Sequence, residues 1–143
     1  MLTEKSSGAI VFRREGKAIG YLLLHYPTGH WDFPKGNVER EETEKHAAVR
    51  EIAEETELKD IVLLEGFKEK VDYFYRRDEE TIRKSVVLFL AETRSSAVKV
   101  SSEHQGFAWL PFKEAVQRVT FGNAKSVLQK ADAFLNSGLT RFA

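Results

Sequence analysis

The chain has 143 residues, enough for one domain with a single core, and we expect residues 1–143 to form that domain. Its 22 basic residues balance its 22 acidic residues, so net charge does not attract it to a long nucleic acid or an acidic membrane surface. The absence of cysteine excludes disulfides, thiolate nucleophiles and zinc–thiolate sites. Residues 1–7 lack the apolar region of a signal peptide, and no apolar run approaches the roughly 20 residues of a membrane span. We therefore expect a cytoplasmic protein with no membrane partner.

The predicted elements alternate between strands and helices along the chain. Strands are predicted at residues 8–13, 19–26, 31–36, 61–75, 86–91 and 107–110. Helices are predicted at residues 43–56, 111–116 and 124–135, and the charged residues 76–80 predict a loop. Thr43 suits the N-cap of the first helix, and Pro111 suits the start of the second. Because strands dominate, with helices between and after them, we expect an α/β fold with a mixed sheet covered by helices.

The first predicted helix carries three carboxylates on one face. Residues advance by about 100° each on a helix, so Glu51, Glu54 and Glu55 fall within roughly 100° of arc. Like charges at this spacing destabilise a helix by a few tenths of a kcal/mol, and a bound cation reverses that effect. Mg²⁺ and Mn²⁺ prefer such oxygen ligands and also neutralise phosphate oxygens. For an isolated Glu-rich helix, a solvated surface is the simpler interpretation. The apolar side of the helix is expected to comprise Ala47, Ala48, Val49, Ile52 and Ala53.

A longer pattern around these carboxylates favours the metal site. Gly36 is followed by five residues and Glu42, and then by seven residues and the run Arg50-Glu51-Ile52-Ala53-Glu54-Glu55-Thr56-Glu57-Leu58. This pattern resembles the Nudix box, and it matches every fixed position except one, where Glu57 replaces a glycine. The resemblance implies an α/β/α sandwich around a mixed sheet. It also implies a metal-dependent hydrolase that cuts nucleotide phosphoanhydrides.

The resemblance also implies roles for individual residues. Glu51, Glu54 and Glu55 would be metal ligands, with Mg²⁺ or Mn²⁺ as the cofactor, and the Gly36 carbonyl often joins them in this family. Arg50 would pair with Glu42 and hold the preceding loop in register, a role that suits the rigid fork of a guanidinium. These two residues would therefore be structural parts of the motif.

The departure at Glu57 concerns the end of the helix. The family glycine lies where a left-handed residue commonly ends a helix. A non-glycine residue in that conformation costs about 1–2 kcal/mol. Either Glu57 accepts this strain or the loop is rebuilt, and the sequence leaves both alternatives open.

Residues outside the box indicate a substrate. Over nearly its whole length the chain resembles the asymmetric diadenosine tetraphosphate hydrolases, in which the products are ATP and AMP. The matching stretches are residues 30–36, 65–68, 102–105 and 109–110, together with Tyr73. In those enzymes two aromatic residues sandwich an adenine, and the aligned positions here are Tyr73 and Phe121. Tyr75 competes with Tyr73, because residues two apart on a strand point to the same face.

Cations near the motif are candidates for contacting the phosphates. Lys35 directly precedes Gly36, so its ammonium is expected to reach them. His30, Arg76 and Lys84 are further candidates, and for the last two a solvated surface cation is an equal alternative.

A polar loop at residues 101–105 contributes Glu103. In related Nudix enzymes a Glu from this loop joins the metals or acts as the base. The sequence leaves Glu51, Glu54 and Glu103 open as the group that deprotonates the attacking water. His104 is expected to be a structural residue or to lie at the edge of the substrate.

Several alternatives stay open from the sequence alone. Within hydrolases they are removal of pyrophosphate from the 5′ end of RNA and hydrolysis of nucleoside triphosphates or ADP-ribose. The balanced charge argues mildly against a long RNA partner, so nucleic acid is expected only as a 5′-end substrate. The intact Glu51, Glu54 and Glu55 argue against a non-catalytic nucleotide-sensing domain. We expect a small-molecule nucleotide as the partner and a monomer or small homo-oligomer as the assembly.

Overall fold

The computed structural model describes residues 2–137, and a mixed seven-stranded sheet forms its centre. The strands are β1 (Leu2–Glu15), β2 (Ala18–His25), β3 (Trp31–Asp32), β4 (Lys35–Asn37), β5 (Val62–Arg77), β6 (Glu80–Glu92) and β7 (Gly106–Pro111). The main order is β3-β2-β1-β6-β5, while β4 pairs with β1 and β7 pairs with β2. β1 and β6 run parallel, and the remaining pairs are antiparallel. The predicted mixed sheet is therefore confirmed.

Three helices cover the two faces of this sheet. They are α1 (Glu44–Thr56), α2 (Phe112–Arg118) and α3 (Gly122–Asn136). Alternation along β1 divides the core, because Ala9 and Val11 pack on the side of α1 whereas Ile10 and Phe12 pack on the side of α2 and α3. All four side chains are fully buried. This three-layer arrangement confirms the predicted α/β/α sandwich.

α1 begins and ends as its sequence indicates. Thr43 caps the helix by accepting a hydrogen bond from the His46 backbone N–H at 3.1 Å. Glu57 ends it in the left-handed conformation, with φ 61° and ψ 15°. Of the two alternatives at this position, the strained residue is therefore the one observed. The predicted apolar side is too wide, since Val49 is 37% exposed and α1 meets the sheet mainly through Ala48 and Ile52.

The predicted loop at residues 76–80 is wrong. β5 continues to Arg77 and β6 starts at Glu80, so only Asp78 and Glu79 form the turn. Both turn residues have positive φ, 50° and 67°. Two residues with positive φ match the right-handed twist of a hairpin, which allows the two strands to stay paired to their ends.

Among the helices of residues 2–137, none is both long enough and apolar enough to cross a membrane.

Candidate active site

A glycine and a glutamate meet at the start of the candidate site. Gly36 lies in β4 opposite Ser7 of β1. A Cβ on Gly36 would overlap the carboxyl group of Glu51, which α1 directs toward this strand. Glycine at this position therefore lets the Glu51 carboxylate lie directly against the β4 backbone.

Glu55 is a buried acid beside the same strand. It is 7% exposed, and its Oε1 accepts a hydrogen bond from the Lys35 backbone N–H at 2.9 Å. The pKa of Glu55 is raised from 4.5 to about 8, mainly by burial, with the nearby carboxylates of Glu51 and Glu103 adding to the rise and the hydrogen bond from the Lys35 N–H opposing it. Burial also raises the pKa of Glu51. The structure thus brings Glu51, Glu55 and Glu103 into electrostatic contact.

Arg50 connects several of the acidic residues. Its Nε and Nη2 donate to the two carboxylate oxygens of Glu42 at 2.7 and 2.9 Å, and Nη2 also donates to the Asn37 carbonyl at 2.9 Å. The pairing of Arg50 with Glu42 that the resemblance implies is therefore present. The other nitrogen, Nη1, donates to Glu51 at 2.8 Å and to Glu54 at 3.2 Å. Glu54 remains largely exposed, with 58% of its side chain accessible.

The chemistry of these residues fits a hard divalent cation. Glu51 and Glu55 are carboxylates with raised pKa values, so their ionised forms gain from a nearby positive charge. No lysine or arginine within the described chain forms an ion pair with Glu55. Within residues 2–137, no group of three or more His, Asp or Glu side chains is close enough together to hold a metal ion. The fit to a divalent cation therefore rests on the charge and the burial of Glu51 and Glu55.

A cavity of about 480 Å³ adjoins the carboxylates. Its lining includes four of the predicted substrate residues, namely His30, Lys35, Tyr73 and Phe121. Val71, Val86 and Leu88 add apolar surface, and the start of α3 forms the remaining wall. The Lys35 ammonium lies 3.1 Å from Asp32, which also lines the cavity, while the Lys35 backbone N–H bonds Glu55. Lys35 therefore belongs both to the cavity and to the carboxylate site.

The other predicted substrate residues lie outside this lining. The Tyr75 hydroxyl donates to Glu4, and Lys84 donates to Asn37 Oδ1 at 3.0 Å. Burial lowers the pKa of Lys84, and the charge of Lys35 adds to that effect, so the two ammonium groups lie on the same side of the protein. Arg76 donates to the Glu79 carbonyl at 2.8 Å and so supports the hairpin turn. The side chains in this group therefore bond to other residues of the protein, and none of them lines the cavity.

Tyr26 is a site residue that sequence reasoning missed. Its ring stacks on His30 with centroids 4.7 Å apart, and it meets the His104 ring edge-on at 4.6 Å. His30 in turn lies 5.3 Å from the Phe121 ring at the cavity. The Tyr26 hydroxyl donates to the Phe33 carbonyl at 2.8 Å. A chain of rings therefore connects the cavity to His104, beside Glu55. The only signal in the sequence is the position of Tyr26 before a turn, which is not specific.

An acidic helix packs against a glycine-containing strand, and a cavity of about 480 Å³ lies beside them. This is the arrangement that the pattern in residues 36–58 predicts. Residues 3–130 match the NUDIX domain, and the chain belongs to the NUDIX family. The family prediction from residues 36–58 is confirmed. Proteins of this family that act as hydrolases generally need divalent metal ions.

The more specific relatives agree with one another. The chain is 36% identical to the bis(5′-nucleosyl)-tetraphosphatase [asymmetrical] of Rattus norvegicus over 93% of this chain and 96% of that protein. It is 32% identical to the Caenorhabditis elegans protein of the same name over 92% of this chain and 96% of that protein. The crystal structure of a C. elegans Ap4A hydrolase binary complex superposes with a TM-score of 0.82 and 32% identity, covering 92% of this chain and 97% of that chain. The predicted resemblance to asymmetric diadenosine tetraphosphate hydrolases is thereby confirmed.

Proposed function

We propose that this protein hydrolyses diadenosine tetraphosphate to ATP and AMP with Mg²⁺ or Mn²⁺ as its cofactor. The observation that carries the proposal is the position of Lys35. Its side chain lines the cavity that contains Tyr73 and Phe121, while its backbone N–H bonds the buried Glu55. One residue thus joins an aromatic cavity to a carboxylate site, which is the combination that a nucleotide hydrolase requires.

The cavity is suited to one nucleoside. Its volume of about 480 Å³ lies in the range of small-ligand sites. Tyr73 is half-buried on β5 and Phe121 is 48% exposed at the start of α3, so both present ring surface to a base. Stacking on an aromatic side chain is worth roughly 1–3 kcal/mol per base. We assign Tyr73 and Phe121 to the adenine and leave Tyr75 outside the sandwich.

The positions of the cations support a path for the phosphate chain between the cavity and α1. Lys35 and His30 line the cavity, and Lys84 lies on the same side of the protein as Lys35. An ammonium group attracts phosphate oxygens strongly when it is partly desolvated, and only 19% of the Lys35 side chain is accessible. The polyphosphate would therefore run from the adenine past Lys35 toward Glu51 and Glu55.

The acidic residues would bind the metal, and one of them would accept a proton from the attacking water. Glu51, Glu54, Glu55, Glu103 and the Gly36 carbonyl are the proposed ligands. When bound, the metal neutralises phosphate charge and makes a water more acidic. A carboxylate from Glu51, Glu54 or Glu103 accepts the proton of the attacking water, and the Lys35 ammonium offsets charge that develops on the phosphate chain. Arg50 holds the end of β4, the strand that carries Gly36, against α1 through the Asn37 carbonyl, and its pairing with Glu42 fixes the guanidinium.

A product assay tests this proposal. Purified protein and Mg²⁺ or Mn²⁺ are incubated with one substrate per reaction, and the products are separated by chromatography. The substrates are diadenosine tetraphosphate, ATP, ADP-ribose and a 5′-triphosphorylated RNA. We expect equal amounts of ATP and AMP from diadenosine tetraphosphate, and no turnover in excess EDTA. Turnover in EDTA would contradict the metal assignment. A faster reaction with another substrate would assign the site to that substrate, and binding without turnover would indicate a nucleotide-sensing domain.

We propose one domain that works as a monomer or small homo-oligomer in the cytoplasm on a small-molecule nucleotide. Size-exclusion chromatography with light scattering measures the assembly directly.

A further inference from the structure

His104 is a buried side chain that the proposed chemistry leaves without a role. Only 1% of it is accessible, and its Nε2 has no hydrogen-bond partner within the described structure. That nitrogen lies 3.5 Å from Oε2 of Glu55. The Tyr26 ring packs edge-on against the imidazole and fixes the plane of the ring. A buried nitrogen that faces a buried carboxylate indicates a specific contact rather than simple packing.

The partner on the other side of the ring determines which nitrogen carries the proton. Nδ1 lies 3.0 Å from the Ser101 hydroxyl. If the hydroxyl donates to Nδ1, the proton of the neutral imidazole is on Nε2 and faces Glu55.

The backbone around His104 connects the same elements. The Ser101 N–H donates to the Glu55 carbonyl at 3.1 Å, and the Gln105 N–H donates to the His25 carbonyl at 2.8 Å. Residues 101–105, which include Glu103, are thus attached to the end of α1 and to the end of β2. His104 is the side chain of this loop that reaches the Glu55 carboxylate.

We propose that His104 is a positioning residue that donates its Nε2–H to Glu55 and so orients this carboxylate for metal binding. The inference rests on the proposed function. The Lys35 N–H fixes Oε1 at 2.9 Å, and His104 would fix Oε2, so that donors from two different elements define the plane of the carboxylate. The 3.5 Å separation is about 0.5 Å longer than an ordinary hydrogen bond. Contacts of this kind often shorten when the ligand binds. Groups that orient metal ligands typically contribute a factor of about 10–100 to metal affinity.

The test compares His104→Leu with His104→Gln, because glutamine restores an N–H donor near the position of Nε2. Mn²⁺ affinity is measured by electron paramagnetic resonance, which counts free Mn²⁺ without any turnover. We expect His104→Leu to weaken Mn²⁺ binding about tenfold or more and His104→Gln to recover most of that loss. AMP binding without metal should be unchanged in both variants, since His104 does not line the cavity. Thr93→Val is the control: it removes the hydrogen bond from the buried Thr93 to Asp60 and should lower Tm without changing Mn²⁺ affinity.

Unchanged Mn²⁺ affinity in His104→Leu would overturn the proposal, and so would equal losses in the Leu and Gln variants. If His104→Leu does not fold, Ser101→Ala decides instead. It should weaken Mn²⁺ binding in the presence of His104 but have no effect in the His104→Gln background, and equal effects in both backgrounds would overturn the proposal. A wild-type protein that binds Mn²⁺ but does not cleave diadenosine tetraphosphate would contradict the proposed function alone. The comparison of Mn²⁺ affinities would still decide the role of His104.

Discussion

The backbone of Lys35 and the side chain of Glu55 are joined by a 2.9 Å hydrogen bond, while the Lys35 ammonium lies 3.1 Å from Asp32 in the cavity. The main chain of Lys35 therefore contacts the carboxylate site, and its ammonium group lies in the cavity. Because the contact with Glu55 uses the main chain, a side-chain substitution at Lys35 removes the charge and leaves that contact in place.

Lys35→Met should accordingly reduce kcat/KM for diadenosine tetraphosphate without weakening Mn²⁺ binding. A hydrogen bond to a charged group is worth about 1.5–3 kcal/mol, so we expect a loss of roughly 10- to 150-fold. Steady-state kinetics and a Mn²⁺ titration measure the two effects. Lys45→Met, which removes an exposed cation from α1, is the control. A large loss of Mn²⁺ affinity in Lys35→Met would contradict the separation of the two ends of Lys35.

Glu54→Gln should remove most of kcat and leave the fold intact. The side chain is 58% exposed and its protein contact is a 3.2 Å bond to Arg50, so its removal costs little stability. It deletes one negative charge from the proposed metal site, and we expect kcat to fall by about 100-fold or more. Kinetics and thermal melting measure the outcome, with Glu114→Gln on the exposed surface of α2 as the control. An unfolded Glu54→Gln protein would indicate a structural role for this face of α1.

Glu57→Gly should stabilise the protein by up to about 1 kcal/mol. Glu57 has φ 61°, a conformation that strains a side chain and suits glycine, although glycine also loses more entropy on folding. Gly16 has the same φ of 61°, and a Cβ there would meet no atom within 4 Å. Gly16→Ala is therefore the matched opposite change and should destabilise by a similar amount. Urea unfolding measures both variants, and a clear loss of stability in Glu57→Gly would show that the Glu57 side chain stabilises this turn.

Tyr73→Ala and Phe121→Ala should each raise KM for diadenosine tetraphosphate more than they lower kcat. Each substitution removes one ring from the cavity, which is worth roughly 1–3 kcal/mol or a factor of about 5–150 in binding. Tyr75→Ala is the control, because its hydroxyl bonds Glu4 and its ring lies outside the cavity lining. If Tyr75→Ala raises KM and Tyr73→Ala does not, the assignment of the base site is displaced by two residues. If none of the three matters, the adenine does not bind in this cavity.

Glu42→Gln should make stability less sensitive to acid. Hydrogen bonds from Arg50 lower the pKa of Glu42 from 4.5 to about 2. A carboxylate with a lowered pKa stabilises the folded state above pH 4.5, and this contribution disappears as the pH falls toward 2. Glu42→Gln removes the titrating group, so its Tm should start lower than that of the wild type and fall less steeply between pH 5 and 2. An equal fall in Tm for the two proteins between pH 5 and 2 would contradict this role for the ion pair of Arg50 and Glu42.

The sequence predicted most of what depends on local pattern. The pattern of residues 8–13 predicted the central part of β1, and the spacing from Gly36 to Glu55 identifies the family. The pattern also identified Glu57 as the residue that replaces a glycine at the helix end, but it left open whether Glu57 is left-handed, which the structure shows it to be. These features were accessible because each depends on neighbours in the chain.

The sequence missed features that depend on tertiary contacts. Residues 76–80 are charged and were predicted as a loop, yet Arg77 pairs with Glu80 because the hairpin of β5 and β6 extends beyond the core. Tyr26 carries no motif, and only the fold brings its ring between His30 and His104. Likewise, the proposal of Tyr73 rather than Tyr75 for the base uses the contact of Tyr75 with Glu4, which is 71 positions from Tyr75 in the sequence.

The guanidinium of Arg50 lies within 3.6 Å of carboxylate oxygens from Glu39, Glu42, Glu51 and Glu54. An acidic helix of this kind would ordinarily repel itself until an ion arrived. Arg50 instead provides an internal counter-charge that is part of the polypeptide and is present as soon as α1 forms. We therefore expect this segment to fold without a bound divalent ion, so that removal of the ion should abolish the proposed activity without unfolding α1.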